Sequence, residues 1–170
     1  MCIRDRSKGA QENISVTVCG ELNKGNFLKR GGAKEGDSIF LTGTLGQAKK
    51  GLELIEKNIA QIDFSSSHVK KFLSPKLNFE FAKEISSIAS SCIDVSDGLI
   101  SDLGHILEAS KVGGEIYVEK IPLVGEVVDA LTWGDDYELL MTISLDQKKR
   151  LIEISKSCLL YTSDAADEGH

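Results

Sequence analysis

The spacing of hydrophobic residues changes along the chain between a period near two and a period near 3.6. Residues 14–22 alternate apolar and polar positions, and residues 38–43 form a short strand-like run after a Gly-Asp turn, which together predict two β-strands. From residue 45 to residue 55 the apolar positions recur every three or four residues, which predicts a helix, and Thr44 is a suitable residue to cap it. The residues from 23 to 36 are rich in glycine and charge, and they predict a boundary between two domains.

The rest of the chain continues this change of period. Helical spacing predicts four more helices, which lie at 75–88 with Pro75 at the start, at 99–110, weakly within 122–131, and at 146–157. Apolar or alternating runs predict three more strands, at 91–95, 114–119 and 137–143, and a polar loop is predicted at 60–68. Strands and helices in this order predict an α/β fold with α+β layering.

The two ends of the chain are related through their DNA rather than through protein chemistry. Residues 1–5 can be back-translated so that the reverse complement, in a shifted frame, encodes Cys-Leu-Leu-Tyr-Thr, the sequence of residues 158–162. We therefore expect residues 1–6 and 158–170 to be translated sequencing-adapter DNA, with native sequence from about residue 7 to about residue 157. A genuine exposed polar tail is the alternative.

The composition excludes several classes of protein. With 20 basic and 26 acidic residues, the chain lacks the charge pattern of a duplex nucleic-acid binder. No apolar run approaches the roughly 20 residues of a membrane span and no signal peptide is visible, so we expect a cytoplasmic protein. Cys19 and Cys92 stand in strand-like runs, and their spacing indicates neither a disulfide framework nor a zinc site.

The most informative segment is residues 92–104, Cys-Ile-Asp-Val-Ser-Asp-Gly-Leu-Ile-Ser-Asp-Leu-Gly. A predicted strand passes there into a predicted helix, with Asp94, Ser96 and Asp97 at the junction. Alternate side chains of a strand share a face, and the start of a helix can receive a phosphate oxygen. Because Mg²⁺ takes one or two carboxylates and completes its shell with phosphate oxygens and water, the segment predicts a magnesium–phosphate site. The alternative is that Ser96 or Asp97 only caps the helix.

A second acidic segment, Trp-Gly-Asp-Asp-Tyr-Glu-Leu-Leu, occupies residues 133–140. Like charges at this density repel one another unless a cation or hydrogen-bond donors gather them. The alternative is a polar turn that leads into an edge strand.

Other motifs do not define a site. The run Gly-Thr-Leu-Gly at 43–46 lacks the Gly-Lys-Ser/Thr of a phosphate-binding loop, and His68 and His105 have no metal-ligand spacing. No Ser-His-Asp or Cys-His arrangement is visible, so we assign no catalytic nucleophile or general base.

Together, the two acidic segments and the run Arg-Gly-Gly-Ala-Lys-Glu-Gly-Asp-Ser-Ile-Phe-Leu-Thr-Gly-Thr-Leu-Gly at 30–46 closely resemble the thiamine-monophosphate kinase family. The resemblance covers residues 7 to 157. It implies ATP-dependent phosphorylation of thiamine monophosphate to thiamine diphosphate. It also implies the fold shared with aminoimidazole ribonucleotide synthetase, in which an N-terminal domain pairs across a homodimer and a C-terminal domain covers the site.

The same resemblance divides the chain. Residues 7–28 would be a remnant strand of the N-terminal ATP-binding domain, and residues 34–157 would be most of the C-terminal domain. We therefore expect this chain to be an interior fragment that is inactive alone, with thiamine monophosphate and ATP as the ligands of the full-length protein.

The resemblance also assigns roles to single residues. Asp94 and Asp97 match metal-binding aspartates, which implies Mg²⁺ as the cofactor. Ser96 and Lys8 match residues that contact ATP, and Asp135 matches an acidic position near the thiamine phosphate.

Two alternatives to this function stay open. One is another ATP-dependent enzyme of the same superfamily, such as a selenophosphate or aminoimidazole ribonucleotide synthetase. The other is a non-catalytic module that binds thiamine phosphate or a nucleotide.

One residue departs from the pattern of the family. Trp133 stands where the family usually has the first of two glycines, so the geometry of the turn at this position is expected to differ from that of the family.

Overall fold

A computed structural model of the protein describes residues 16–21, 27–158 and 162–164. Within these residues the centre of the fold is a four-stranded sheet in which each neighbouring pair is antiparallel. Its strands are β1 (Ser38–Thr42), β2 (Ala89–Asp94), β3 (Leu139–Ile143) and β4 (Thr162–Asp164). The strand order across the sheet is β2-β3-β1-β4, so that β1 and β3 are the central strands.

Six α-helices surround the sheet in the part of the chain that the structure describes. They are α1 (Gln47–Lys57), α2 (Ser67–Leu73), α3 (Phe79–Ile85), α4 (Leu99–Ser110), α5 (Val127–Thr132) and α6 (Lys148–Ser157). Three short 3₁₀ turns lie at Ile59–Gln61, Val118–Lys120 and Leu145–Gln147. None of the helices within the described ranges is both long enough and apolar enough to cross a lipid bilayer.

Helices cover both faces of the sheet, which explains why the strands are apolar on both sides. Ile39 and Leu41 of β1 pack with α4 and α5 on one face, while Phe40 packs with α3 and α6 on the other. All five residues of β1 are buried. Burial of each large apolar side chain stabilises the fold by about 2 kcal/mol. The result is a helix–sheet–helix arrangement, and it confirms the predicted α/β fold class with α+β layering.

The elements with the strongest hydrophobic pattern lie where the sequence predicts them. The strand predicted at 38–43, the strand predicted at 91–95 and the helix predicted at 99–110 each match within two residues. Strand β3 begins at Leu139 rather than at residue 137. Asp135 and Tyr137 have φ angles of 65° and 50°, and this left-handed backbone cannot continue a ladder.

Two predicted strands are wrong. The segment 114–119 forms no strand, and its end enters a 3₁₀ turn at Val118–Lys120. In the segment 14–22, the described residues 16–21 pair with no strand, and Val16 and Val18 are 78% and 88% exposed. An alternating pattern reports which side chains share a face, whereas a strand also needs a hydrogen-bonded neighbour.

Three predicted helix boundaries are also wrong. Thr44 does not cap α1, because that helix starts after Gly46, whose φ of 82° favours glycine. Pro75 does not start α3, which begins at Phe79. Helix α2 overlaps the end of the predicted polar loop and was not predicted. Its single buried residue, Val69, gives too weak a helical pattern in the sequence.

The pairing of β4 involves residues 162–164, which lie in the tail that the sequence assigns to adapter DNA. An open strand edge can pair with any extended peptide, so the origin of this tail stays a prediction. Lys8, the second residue assigned to ATP, lies outside the described residues.

Candidate functional site

The first acidic segment forms a tight junction between β2 and α4. Asp94 ends β2 and Leu99 begins α4, with Gly98 as the residue before the helix. Gly98 has a φ of 106°, and a Cβ there would lie 2.6 Å from the carbonyl oxygen of Thr132. Gly98 has no side chain and so makes no side-chain cap to the first turn of α4. Gly98, rather than Ser96 or Asp97, therefore occupies the N-cap position of α4.

Asp102 holds this junction from inside the fold. Its Oδ2 accepts the backbone N–H groups of Ser96 at 2.9 Å and of Asp97 at 3.0 Å, and the residue is only 1% exposed. Burial raises the pKa of this carboxyl group, and the two N–H donors oppose the rise. Sequence reasoning missed Asp102 because nothing in its position within a predicted helix distinguishes it from a surface acid.

The second acidic segment is hydrogen-bonded to the first. Ser96 accepts the N–H of Asp135 at 3.2 Å through its carbonyl oxygen, and Val95 accepts the N–H of Tyr137 at 2.9 Å. Gly134 lies so close that a Cβ there would be 1.8 Å from the carbonyl oxygen of Ser96. The structure therefore brings together the two segments that the sequence singled out.

Tyr137 lies close enough to three acids of the two segments for their charges to affect its pKa. Its hydroxyl group lies 3.5 Å from Oδ1 of Asp135. The pKa of Tyr137 is raised first by burial, then by the charge of Asp135, and further by the charges of Asp94 and Asp97. Three carboxylates thus act on one phenol group. Asp94 and Asp97 are exposed and Asp135 is half-buried, so solutes can reach all three.

The other two acids of the second segment face the interior and have hydrogen-bond donors. Asp136 is fully buried, and its two oxygens accept the N–H groups of Gly46 and Ala48 at the start of α1, at 2.6 and 2.9 Å. Glu138 is 6% exposed and accepts the hydroxyl of Thr42 and the ammonium of Lys71. The negative charges of Asp136 and Glu138 are therefore compensated by hydrogen-bond donors of the protein itself.

A cavity of about 310 Å³ lies beside Asp94. Asp94 and Tyr137 form part of its wall, and the remaining lining is mostly apolar, from Leu77, Asn78, Phe79, Ala82 and Leu139. Phe79 is 71% exposed, which is unusual for a residue of this size. The site therefore combines exposed carboxylates with an apolar cavity of the size of a small ligand.

The donor set of this site fits a hard divalent cation. Carboxylate oxygens are the ligands that Mg²⁺ prefers, and Asp94 and Asp97 present two exposed carboxylates at the junction of β2 and α4. His105, which the sequence gave no metal role, lies on α4 near Asp97 and Asp102. One ligand atom each from Asp97, Asp102 and His105 falls within 4.8 Å of the others.

Trp133 lies at the edge of the site, at the end of α5. Its N–H bonds to the carbonyl oxygen of Asp129 at 2.8 Å, and the Lys49 ammonium lies 4.2 Å from the centre of the indole ring. A cation–π contact of this kind stabilises the position of the partly exposed indole ring.

Comparison with known proteins places these features in a family. Residues 34–162 match the family model described as AIR synthase related protein, C-terminal domain. A curated relative, the thiamine-monophosphate kinase of Buchnera aphidicola subsp. Schizaphis graminum, is 37% identical over 90% of this chain and 53% of the relative. The chain thus spans about half the length of the curated relatives that it matches first.

Solved structures give the same result. The crystal structure of thiamine-monophosphate kinase from Stenotrophomonas maltophilia K279a superposes with a TM-score of 0.77 at 31% identity, covering 84% of this chain and 50% of that one. A structure described as AaThiL complexed with AMPPCP and TMP superposes with a TM-score of 0.70 at 30% identity, covering 81% of this chain and 46% of that one.

Proposed function

The chain belongs to the AIR synthase related family through its C-terminal domain, and from this membership we propose that its full-length protein is an ATP-dependent thiamine-monophosphate kinase. The product would be thiamine diphosphate. Relatives that carry this name match most of the chain, and one similar structure holds AMPPCP, an ATP analogue, together with TMP. Residues 34–157 would supply most of the C-terminal domain, and residues 7–28 the end of the preceding domain.

One observation carries the proposal: the loop of Asp94, Ser96 and Asp97 is hydrogen-bonded to the loop of Asp135. Phosphoryl transfer from ATP to a phosphate brings two polyanions together, so catalysis rests on positioning and charge compensation. Asp94 and Asp97 would hold Mg²⁺, and bound Mg²⁺ supplies the positive charge that offsets the phosphate oxygens. Ser96 would contact ATP, as would Lys8, and Asp135 would face the acceptor phosphate.

The rest of the site supports the same assignment. The cavity beside Asp94 has room and apolar lining for the organic part of a phosphorylated substrate, next to the acids that would organise its phosphate. Because the proposed transfer goes directly from ATP to the acceptor, it needs no nucleophilic side chain, in agreement with a site of carboxylates and the hydroxyls of Ser96 and Tyr137. A homodimer, as the resemblance implies, is part of this proposal.

The proposal can be tested in a chimera. Residues 27–158 of this chain would replace the matching part of the full-length thiamine-monophosphate kinase of Aquifex aeolicus, and formation of thiamine diphosphate and ADP would be measured with and without Mg²⁺. We expect Mg²⁺-dependent turnover, and we expect D94N or D97N to lower it by about 100-fold or more, because each removes a charge that organises the transition state.

The matched control is D146N, which removes an exposed carboxylate from the 3₁₀ turn before α6. Its turnover should stay within about twofold of the parent, because surface substitutions away from a site have small effects. A chimera that folds but makes no thiamine diphosphate would show the proposed function to be wrong. Equal losses in D94N and D146N would show that the acids are not specific to the reaction.

A further inference from the structure

We infer that Asp102 is a positioning residue that fixes the metal-binding loop from inside the fold, rather than a ligand of the metal. The inference rests on the proposed function, since it concerns how Asp94 and Asp97 come to face a cation. Asp102 lies within the segment 92–104 that the sequence singles out, but none of the roles assigned there includes it. It is a carboxylate at 1% exposure one helical turn inside α4.

The first step of the argument is the geometry of the loop. Residues 95–98 have left strand β2 and have not yet entered helix α4, so neither element supplies hydrogen bonds for all their amides. A single oxygen of Asp102, Oδ2, accepts two consecutive N–H groups, from Ser96 and from Asp97. Two consecutive amides that converge on one fixed acceptor leave the backbone at these residues little freedom, and this sets the direction of both side chains.

The second step is that the second loop depends on the first. The carbonyl oxygen of Ser96 accepts the N–H of Asp135, and the same carbonyl group packs against Gly134. A shift of Ser96 would therefore also move Asp135. Through one peptide unit, Asp102 fixes the residue proposed to bind the metal and the residue proposed to face the acceptor phosphate.

The third step separates positioning from direct ligation. The ligand atoms of Asp97, Asp102 and His105 lie within 4.8 Å of one another, so ligation by Asp102 is the competing assignment. However, Oδ2 is already engaged by two donors, and the side chain is covered while Asp94 and Asp97 are exposed. A group that orients a ligand in this way affects metal affinity through geometry, typically by 10- to 100-fold.

The two assignments differ in what asparagine can replace. The amide oxygen of D102N can accept both N–H groups in place of Oδ2, but asparagine removes the negative charge and one of the two potential ligand oxygens. Alanine removes the acceptor altogether. Positioning therefore predicts that asparagine restores what alanine loses, and ligation predicts that both substitutions are equally harmful.

The experiment measures Mn²⁺ binding to the 170-residue chain by electron paramagnetic resonance of free Mn²⁺, with D102A, D102N and the control E108Q. Glu108 is an exposed carboxylate on the same helix. We expect Mn²⁺ affinity at least about tenfold weaker in D102A, within about threefold of the parent in D102N, and unchanged in E108Q. Amide hydrogen exchange at residues 96 and 97 should accelerate in D102A and stay slow in D102N.

The outcomes separate this inference from the proposed function. If the unsubstituted chain binds no Mn²⁺, the proposed metal site and this inference are both overturned. If it binds Mn²⁺ and D102N loses as much affinity as D102A, or neither loses any, only the positioning role is overturned. If D102A does not fold by circular dichroism, D102N decides: a tenfold loss in that folded variant contradicts positioning, and retention supports it.

Discussion

Asp135 and Asp136 are neighbours in the chain but lie in different surroundings. Asp135 is half-buried beside Tyr137, while Asp136 is fully buried and bound to two amides of α1. The positive φ of Asp135 turns the chain between them, so that the two side chains leave in different directions. One residue is therefore available for chemistry, and the other anchors the loop to the start of a helix.

Burial gives Asp136 a measurable effect on pH dependence. Burial raises its pKa above the ordinary value of 3.8, so the folded state holds this proton more tightly than the unfolded state does. The contribution of Asp136 to the free energy of unfolding should therefore fall as the pH rises above about 4. D136N lacks this titration. In urea denaturation, the free energy of unfolding of the parent minus that of D136N should therefore decrease from pH 4 to pH 7. A difference that grows over that range would contradict the assignment.

Gly134 allows the two acidic loops to approach each other. A Cβ at this residue would lie 1.8 Å from the carbonyl oxygen of Ser96, which is a backbone atom that cannot move alone. We expect G134A to lower the free energy of unfolding by about 2 kcal/mol in urea denaturation.

The control for this substitution is G104A, in the middle of α4, where a new Cβ meets no atom within 4 Å. Because alanine is the better helix former, G104A should raise the free energy of unfolding by about 1 kcal/mol. If G134A proved as harmless as G104A, the close contact of the two loops would be wrong.

At the level of single residues, the sequence pointed to the exposed Asp94 and Asp97 and gave no role to the buried Asp102 and Asp136. Asp94 and Asp97 stand out because carboxylates rarely follow a buried strand without a reason. Asp102 and Asp136 look the same as surface acids in the sequence, since a side chain in a helix or a turn gives no sign of which backbone amides it will meet. Burial of this kind is decided by packing between segments that are far apart in the chain.

Among the elements, α2 and β3 are joined by an ion pair that is shielded from water. Lys71 of α2 binds Glu138 at the start of β3, with side chains 13% and 8% exposed. Glu138 also accepts the hydroxyl of Thr42 at the end of β1, at 2.6 Å. One carboxylate thus joins a helix to the two central strands, next to the loop that carries Asp135.

Removal of Lys71 should leave the charge of Glu138 without its cation. We expect K71M to lower the free energy of unfolding by about 3 kcal/mol, because an uncompensated buried charge is costly. The double variant K71M/E138Q should recover much of this loss. The exposed pair of Arg150 and Glu153 is the control, and R150A should cost less than about 0.5 kcal/mol. Equal effects of K71M and R150A would contradict the buried pair.

A strand or helix was predicted correctly where its hydrophobic pattern matched the element against which it packs or pairs. Strands β1, β2 and β3 were predicted because each contains at least two consecutive apolar residues that the sheet buries. The segment 114–119 has the alternation but pairs with no strand, and the hydrogen bonds that decide this come from distant residues. Helix α2 was missed because it buries only Val69, so its order depends on contact with α1 rather than on its own sequence.

For the whole molecule, the two hydrophobic clusters share one sheet and should unfold together. Cys92 of β2 can be used to detect this unfolding. It is 6% exposed within the cluster formed with α3 and α6, so a reagent reaches it only when the fold opens. Burial, and then the charge of Asp94, raises the pKa of its thiol to about 12. The thiolate needed for reaction is therefore scarce at neutral pH as long as the fold is closed.

Thiol labelling can test this cooperativity. At pH 8, N-ethylmaleimide should modify Cys92 about 1000-fold more slowly than the exposed Cys19, as followed by peptide mass spectrometry. The rate at Cys92 should rise with urea in parallel with loss of the circular dichroism signal. Rapid labelling of Cys92 in native buffer would show that this face of the sheet opens independently.

The hydrogen bonds between residues 95–96 and residues 135–137 have a consequence for protein engineering. A designer who wishes to alter this site cannot graft one acidic loop from a relative and leave the other in place, because the two loops are hydrogen-bonded to each other and the shape of each depends on the other. The smallest exchangeable module is the pair of loops together with the carboxylate beneath them. Libraries that randomise 94–97 and 134–137 jointly should yield folded variants more often than libraries that treat them one at a time.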